Sequence, residues 1–205
     1  MMKRRLQYFF HYRHYGTLIL IKWYSTLFTK IILFLKGGAI GVNPKFYGVP
    51  FIYIYPGSLL RIGNNFELRT HKKSNLIGIT KKSMITAQSA YAEIIIGDNC
   101  GFSSVVLGAK ESIKIGNNVM IGANSLITDF DWHAMKANEY YSGVPESKPV
   151  VIGDNVFIGY SVTILKGVTI GDNSIIGANS VVSKNVPANV MAAGNPCKVI
   201  KSLID

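Results

Sequence analysis

The sequence contains few cysteines and, over its first 36 residues, no acidic side chain. Two cysteines in 205 residues, Cys100 and Cys197, cannot build a disulfide framework or a thiolate metal site, so a reducing compartment suits the chain. Lysines and arginines in residues 1–36 supply +7 of the net charge of +11. Because the excess is concentrated in that segment, the charge does not predict a nucleic-acid-binding protein.

The most regular feature is a period of six residues. Such a period fits neither an amphipathic helix nor a simple strand, and it indicates a repeat architecture. Three hexads can close one triangular coil of a parallel β-helix, with the aliphatic residue inside and Gly, Asn or Asp at the corners. The aliphatic positions are Ile152, Ile158, Ile164, Ile170, Ile176 and Val182.

The phase is also readable from Ile96 to Ile127, whereas residues 70–93 predict strands without a readable phase. Glycines and prolines in residues 37–56 break any helix, and we expect the coils to begin there. The sequence therefore predicts a basic, apolar helical segment over residues 1–36 and a β-helix domain over residues 37–205.

The array of hexads stops at His133, which occupies the slot six positions after Ile127. Residues 134–149 contain no hexad, and the period resumes at Ile152. This stretch is predicted to be a loop extruded from the coils, and a long insertion in a regular stack is usually functional.

The N-terminal segment allows three interpretations. Residues 17–35 are mostly apolar, with a narrow polar stripe at helical spacing. The helix could lie in a membrane surface with basic flanks near anionic head groups, or pack on the β-helix or a neighbouring subunit. The third interpretation is a transmembrane span, against which Lys22 and Lys30 count, and no small-residue cleavage site supports a secretion signal.

The hexads, the segment LITDFDWH and the closing VVSKNVPANVMAAGNPCKVIK together resemble the hexapeptide-repeat acyltransferases. That family folds as a left-handed parallel β-helix and includes galactoside and maltose acetyltransferases. The resemblance covers residues 94–201 strongly and residues 41–93 loosely. The D-x-D-x-H form of the middle motif is more similar to the branch that O-acetylates surface polysaccharides or their lipid-linked precursors.

The resemblance implies that His133 is the general base. Chemistry gives an independent reason, because acetyl transfer to a sugar hydroxyl needs a group that removes the hydroxyl proton, and neutral imidazole does this near neutral pH. Asp129 and Asp131 are expected to fix the imidazole tautomer or accept hydrogen bonds from the sugar. Trp132 either stacks on a sugar face or packs under the loop. By similarity, Ser103 or Ser104 helps to position the acceptor, where the galactoside branch carries Asn.

The resemblance also implies acetyl-coenzyme A as co-substrate, bound along the groove between neighbouring β-helices of a homotrimer, with no metal required. A cytoplasmic location is expected, with contact to the inner face of the membrane through residues 1–36. The positions that match the coenzyme-contacting ones are Tyr160, Ala178 and Ser183 for the pantetheine arm, and Lys184, Lys198 and Lys201 for the phosphates and adenosine.

Two alternatives remain open at this stage. The first is transfer to the amino group of an amino sugar, which the sequence does not separate from transfer to a hydroxyl. The second belongs to another class: a non-catalytic β-helix or a zinc-dependent, carbonic-anhydrase-like one. The zinc site of that class needs three histidines, and only His71 and His133 lie in or near the predicted coils.

Overall fold

One long helix precedes a stack of triangular coils. The structure is a computed structural model and describes residues 2–139 and 142–204. Helix α1 spans Met2–Leu35, and a short 3-10 helix spans Ala137–Glu139. The strands are β1 Ala39–Ile40, β2 Lys45–Tyr47, β3 Phe51–Ile54, β4 Leu59–Ile62, β5 Glu67–Arg69, β6 Met84–Ala87, β7 Glu93–Ile96, β8 Gly101–Ser103, β9 Val106–Ala109, β10 Ser112–Ile115, β11 Met120–Ile121, β12 Leu126–Thr128, β13 Val150–Ile152, β14 Phe157–Ile158, β15 Thr163–Ile164, β16 Thr169–Ile170, β17 Ile175–Ile176, β18 Val181–Val182, β19 Val190–Ala193 and β20 Lys198–Ser202.

From β4 to β18, each strand pairs in parallel with the strand three positions earlier in the chain. Strands β1 to β18 therefore form the three flat faces of a prism. Sheet A has the order β1-β4-β7-β10-β13-β16, and sheet C runs from β3 to β18 through β6, β9, β12 and β15. Sheet B continues beyond β17 to β19, on which β20 pairs antiparallel. The predicted left-handed parallel β-helix is thereby confirmed, and it begins at β1, within residues 37–56 as expected.

The predicted aliphatic column lies inside the prism. All six positions from Ile152 to Val182 are buried, and those from Ile96 to Ile127 continue the column towards the N-terminal end. There the column contains three aromatic residues, Phe46, Phe66 and Phe102, whose successive ring centroids are 5.8 and 5.1 Å apart. The core is therefore one continuous column that no single coil could bury.

The corner between sheets A and B is held by a ladder of asparagines. Seven of them occupy equivalent positions with φ between 53° and 59°, a left-handed conformation that Asn tolerates better than most residues. Each of the first six donates from its side-chain amide to the side-chain oxygen of the next at 2.9 to 3.2 Å. The members are Asn43, Asn65, Asn99, Asn118, Asn155, Asn173 and Asn189.

Helix α1 lies against the first coil of the β-helix. Its contacts are with β1 and β2. The Ser25 hydroxyl accepts a hydrogen bond from Gly48 N at 3.1 Å, and the Thr26 hydroxyl accepts one from Phe46 N at 3.0 Å. The first coil has no coil below it, and these hydroxyls satisfy N–H groups at its open edge.

Residues 70–83 differ from the sequence expectation, which was a continuation of strands. They leave the stack between β5 and β6 and form a second extruded loop, containing no strand. The polar and basic run HKKSN within it supplies no aliphatic residue for the interior, which is the physical reason that no hexad could be phased there.

We predict opposite stability changes for two glycine-to-alanine substitutions. A Cβ at Gly122 would lie 2.5 Å from the backbone of Gly159 in the next coil, so Gly122→Ala should destabilise the fold by about 1 to 3 kcal/mol. A Cβ at Gly16 meets nothing within 4 Å, and Ala is favoured over Gly in a helix by about 1 kcal/mol. Chemical denaturation measures both; equal destabilisation would contradict the close approach at Gly122.

Candidate active site

The loop that carries His133 emerges at the corner between sheets C and A, named here the C–A corner. Its base is closed like a hairpin: Phe130 and Ser147 form an antiparallel bridge, and Asp131 N donates to Glu146 O at 2.9 Å. Lys148 N donates to Asp129 O at 2.7 Å. The predicted extruded loop is therefore present, and it is anchored on both sides of its base.

Asp129 is completely buried beneath this loop. Its carboxylate accepts hydrogen bonds from the backbone N–H groups of Lys110, Glu111 and Ser112 at 2.6 to 2.8 Å. Burial raises the pKa of the Asp129 carboxyl, and these three hydrogen bonds oppose the rise. The carboxylate thus ties the base of the loop to the preceding coil, and it is not presented to an acceptor sugar in this subunit.

Asp131 lies at the surface of the same corner and shares Lys166 with Glu146. The Lys166 ammonium contacts the Asp131 carboxylate and lies 2.7 Å from the Glu146 carboxylate. These two partners raise the pKa of Lys166. Hydrogen bonds from Lys148 and Lys166 lower the pKa of Glu146 to about 2, so this anchor is present above the ordinary value of 4.5 and is lost as the pH falls towards 2.

Trp132 and His133 follow this ion-pair cluster directly and are both exposed. The Trp132 side chain remains 57% exposed, with its ring centroid 4.8 Å from that of buried Phe130. The indole therefore contacts Phe130, and much of the ring stays exposed; its stacking on a sugar stays a prediction. His133 is two residues after Asp131 in the chain, so its backbone lies close to the anchored base of the loop.

The serines lie at a different corner, between sheets B and C, named here the B–C corner. Ser104 is buried with φ of 48°, and its hydroxyl donates to the Lys81 carbonyl. Ser103 is partly exposed, and its hydroxyl accepts a hydrogen bond from the Asn75 side chain at 3.0 Å. The second extruded loop, residues 70–83, therefore covers both serines.

Asn124 was not singled out from the sequence, yet it joins the parts of the B–C corner. Its side-chain oxygen accepts from Thr80 N at 3.1 Å, and its amide nitrogen donates to the Tyr160 hydroxyl at 2.9 Å. Asn124 looks like any other corner residue in its hexad, so no sequence signal marks it. Tyr160 and exposed Ala178 continue the same corner along the next coils.

A basic cavity of about 530 Å³ opens beside this corner. Burial lowers the pKa of Lys81, which is partly buried there. No acidic residue occurs between Glu67 and Glu93, so the loop presents positive charge without compensation from its own sequence. The cavity is lined by Gly48, Val49, Thr70, His71, Lys72, Lys73, Ile79, Thr80, Lys81 and Lys82.

The remaining residues of the expected coenzyme site are exposed near the C-terminal end of the stack. Ser183 and Lys184 follow β18 at the C–A corner, and Lys198 and Lys201 lie on β20. Within residues 2–139 and 142–204, no group of three or more His, Cys, Asp or Glu side chains could hold a metal ion.

The expected site residues thus fall on two corners of one subunit. His133, Asp131 and Lys184 lie at the C–A corner, whereas Ser104 and Tyr160 lie at the B–C corner. Sheet C separates them, and the longest of its strands, with four residues, span roughly 13 Å. One subunit therefore does not bring all of these side chains to a common point.

Comparison with known proteins places the chain in a family. Residues 149–184 match the bacterial transferase hexapeptide family (six repeats), and residues 93–128 match the hexapeptide repeat of succinyl-transferase. A putative acetyltransferase of Saccharomyces cerevisiae is 38% identical over 173 residues, which are 74% of this chain and 87% of that protein. The chain belongs to the hexapeptide-repeat acetyltransferase family and is an acyltransferase.

Two further relatives bear on substrates. The polysialic acid O-acetyltransferase of Escherichia coli O1:K1 is 37% identical over 136 residues, covering 65% of this chain and 42% of that protein. The solved structure of a galactoside acetyltransferase in complex with coenzyme A is 28% identical, with a TM-score of 0.50 over 82% of this chain and 66% of that one.

We predict that the two aspartates on either side of Phe130, Asp129 and Asp131, differ in their effect on stability. Asp129→Asn replaces a carboxylate oxygen by an N–H donor facing backbone N–H groups, so it should destabilise the protein by about 1 to 3 kcal/mol. Asp131→Asn weakens a partly exposed ion pair and should cost below about 1 kcal/mol. Urea denaturation compares the two, and a larger loss for Asp131→Asn would contradict the assignment of Asp129 as the buried anchor.

Proposed function

We propose that the protein transfers the acetyl group of acetyl-coenzyme A to a hydroxyl group of a saccharide or glycan, with His133 as the general base. The observation that carries the proposal is the exposed His133 on a loop whose base is fixed by Asp129 and by the Asp131–Lys166–Glu146 cluster. Family membership makes the chain an acyltransferase, and the coenzyme A complex of the related galactoside acetyltransferase supports the choice of donor.

In the proposed reaction, the His133 imidazole accepts the proton of the acceptor hydroxyl while the oxygen attacks the thioester carbonyl carbon. The C–O bond forms, the carbonyl becomes an oxyanion, and collapse of this tetrahedral intermediate breaks the C–S bond. The imidazolium then returns its proton to the thiolate of coenzyme A. Unperturbed imidazole has a pKa of about 6.5 and can perform both steps near neutral pH.

The pantetheine arm of the donor is proposed to lie against Tyr160 and Ala178 at the B–C corner of one subunit and against Ser183 at the C–A corner of the next. Lys184, Lys198 and Lys201 are exposed near the end of the stack and supply positive charge for the phosphates and adenosine end. Three flexible ammonium groups suit a polyanionic ligand, because each adds a charge-assisted hydrogen bond.

The active unit is proposed to be a homotrimer. The catalytic loop is at the C–A corner and the acceptor-side serines are at the B–C corner, on opposite margins of sheet C. When triangular prisms pack around a three-fold axis, the C–A corner of one subunit can meet the B–C corner of the next. This arrangement supports a site that two subunits complete together.

The acceptor is proposed to be a glycan or a saccharide precursor of a surface polysaccharide. Support comes from the related polysialic acid O-acetyltransferase and from the basic cavity beside Ser104, whose size and charge suit an anionic saccharide. Transfer to an amino sugar is the second candidate, since the same general base would serve an amine. Assays with polysialic acid, a galactoside and an amino sugar separate the two.

We predict that His133→Ala lowers kcat by about 10² to 10⁴ while leaving acetyl-coenzyme A binding nearly intact, because only proton removal is lost. Thiol release with a hydroxyl acceptor gives kcat, and calorimetric titration gives the affinity for acetyl-coenzyme A. The matched control is His11→Ala, since His11 lies on α1. Full activity of His133→Ala would refute the assigned base.

We predict that inactive subunits restore each other's activity in mixed trimers. His133→Ala damages the C–A corner and Tyr160→Ala damages the B–C corner. Refolding the two variants together at equal amounts should restore about a quarter of the wild-type kcat/KM, the share of interfaces that combine two intact corners. Mixing without refolding is the control, and an active monomer in sedimentation would contradict the shared site.

A further inference from the structure

The inward side of helix α1 carries Ser25 and Thr29 together with the buried Ile21 and Leu33, and large apolar side chains cover its outward side. Ser25 and Thr29 are fully buried against the first coil, and Ser25 and Thr26 accept hydrogen bonds from its backbone. A surface helix of a soluble protein ordinarily keeps its large apolar residues against the core, whereas most of those on α1 are exposed. Within residues 2–139 and 142–204, the docking to the coils therefore leaves the outward apolar side chains of α1 without a protein partner.

The outward surface consists of large apolar and aromatic side chains, and we call it the outer face of α1. Their exposed fractions run from 45% to 82%, which makes a contiguous patch well beyond that of an ordinary soluble monomer. Between residues 19 and 35 the only charged side chains are Lys22, which is half-buried, and Lys30. The members of the outer face are Leu20, Trp23, Tyr24, Leu27, Phe28, Ile31, Phe34 and Leu35.

Charge favours one occupant for this face. Residues 2–36 contain basic residues and no acid, and Lys73 of the second extruded loop lies with Arg13 and His14 around one concavity beside the helix. A second copy of the chain would bring equal positive charge to the interface, which repels. Anionic lipid head groups would complement it, and Trp and Tyr side chains prefer the zone between head groups and hydrocarbon.

The helix is long and apolar enough to cross a membrane by length and composition. Its contacts argue for a different placement. The first coil packs along the middle of α1 through Ser25, Thr26 and the edge of β2, beside Lys45. A span across the hydrocarbon would take this hydrogen-bonded edge and its lysine into the apolar layer, which is costly. Lying in the surface keeps the coils in water.

We propose that α1 lies in the plane of an anionic lipid surface with its outer face inserted, so that the coils stand on the membrane by their N-terminal end. The inference does not depend on the proposed reaction. With a cytoplasmic acyl donor, the surface would be the inner face of the membrane. In a trimer, three helices would bind together and multiply the attachment.

The test is co-sedimentation of the full-length protein with vesicles of phosphatidylcholine and phosphatidylglycerol, compared with phosphatidylcholine alone. We expect binding to the anionic vesicles that weakens with salt. The variant Leu20→Ser/Leu27→Ser removes apolar contact from the outer face and should lower the partition coefficient about tenfold or more. The matched control, Tyr91→Ser/Val144→Ser, changes two side chains at least 90% exposed on the coil domain and should bind as the wild type does.

Each other occupant has its own outcome. Failure of the wild type to bind vesicles, or equal binding by both double variants, would overturn the proposal. Dissociation of the oligomer by Leu20→Ser/Leu27→Ser, with no vesicle binding by the wild type, would assign the outer face to a second copy. Resistance of membrane-bound protein to alkaline carbonate extraction would assign a span. Because binding needs no turnover, these results are independent of the acetyltransferase assays.

Discussion

The spacing between successive coils is the constraint on which the structure depends. Parallel strands hydrogen-bond at about 4.8 Å, and the chain must complete a full triangular turn for each such step. At the A–B corner this spacing leaves no room for a Cβ: at Gly153 it would lie 2.1 Å from the Asp172 side chain. The same spacing lets each corner asparagine reach the next one, so glycine and asparagine recur for complementary reasons.

In the part of the chain that the structure describes, two segments leave the regular stack: residues 70–83 and the loop that carries His133. Both departures are insertions at corners. The C–A insertion has an anchored base and carries His133, and the B–C insertion carries Lys81 and covers Ser104. Rigid coils fix where each insertion begins and ends, so side chains with little support of their own are held at defined places.

The first coil differs from the inner coils because no other coil pairs with the backbone N–H groups along its lower edge. Ser25 and Thr26 of α1 meet part of this need with their hydroxyl oxygens. A helix that serves as such a cap must turn polar residues towards the protein. Ile21 and Leu33 are buried on the same side of the helix, and the other large apolar residues of α1 face outward.

The sequence by itself determined the fold, because a six-residue period with Gly and Asn at fixed offsets matches no other arrangement of strands and corners. It also located the extruded loop at His133, where the period breaks. Only the tertiary structure decided which side chains from different coils contact each other. Asp129 and Asp131 look alike in the sequence. In the structure, Asp129 is buried and accepts hydrogen bonds from three backbone N–H groups, whereas Asp131 forms an ion pair with Lys166. The sequence also did not predict the loop formed by residues 70–83, the role of Asn124 or the orientation of α1. Hydrogen bonds between residues 20 to 46 positions apart define these features, and no local sequence pattern encodes such partners.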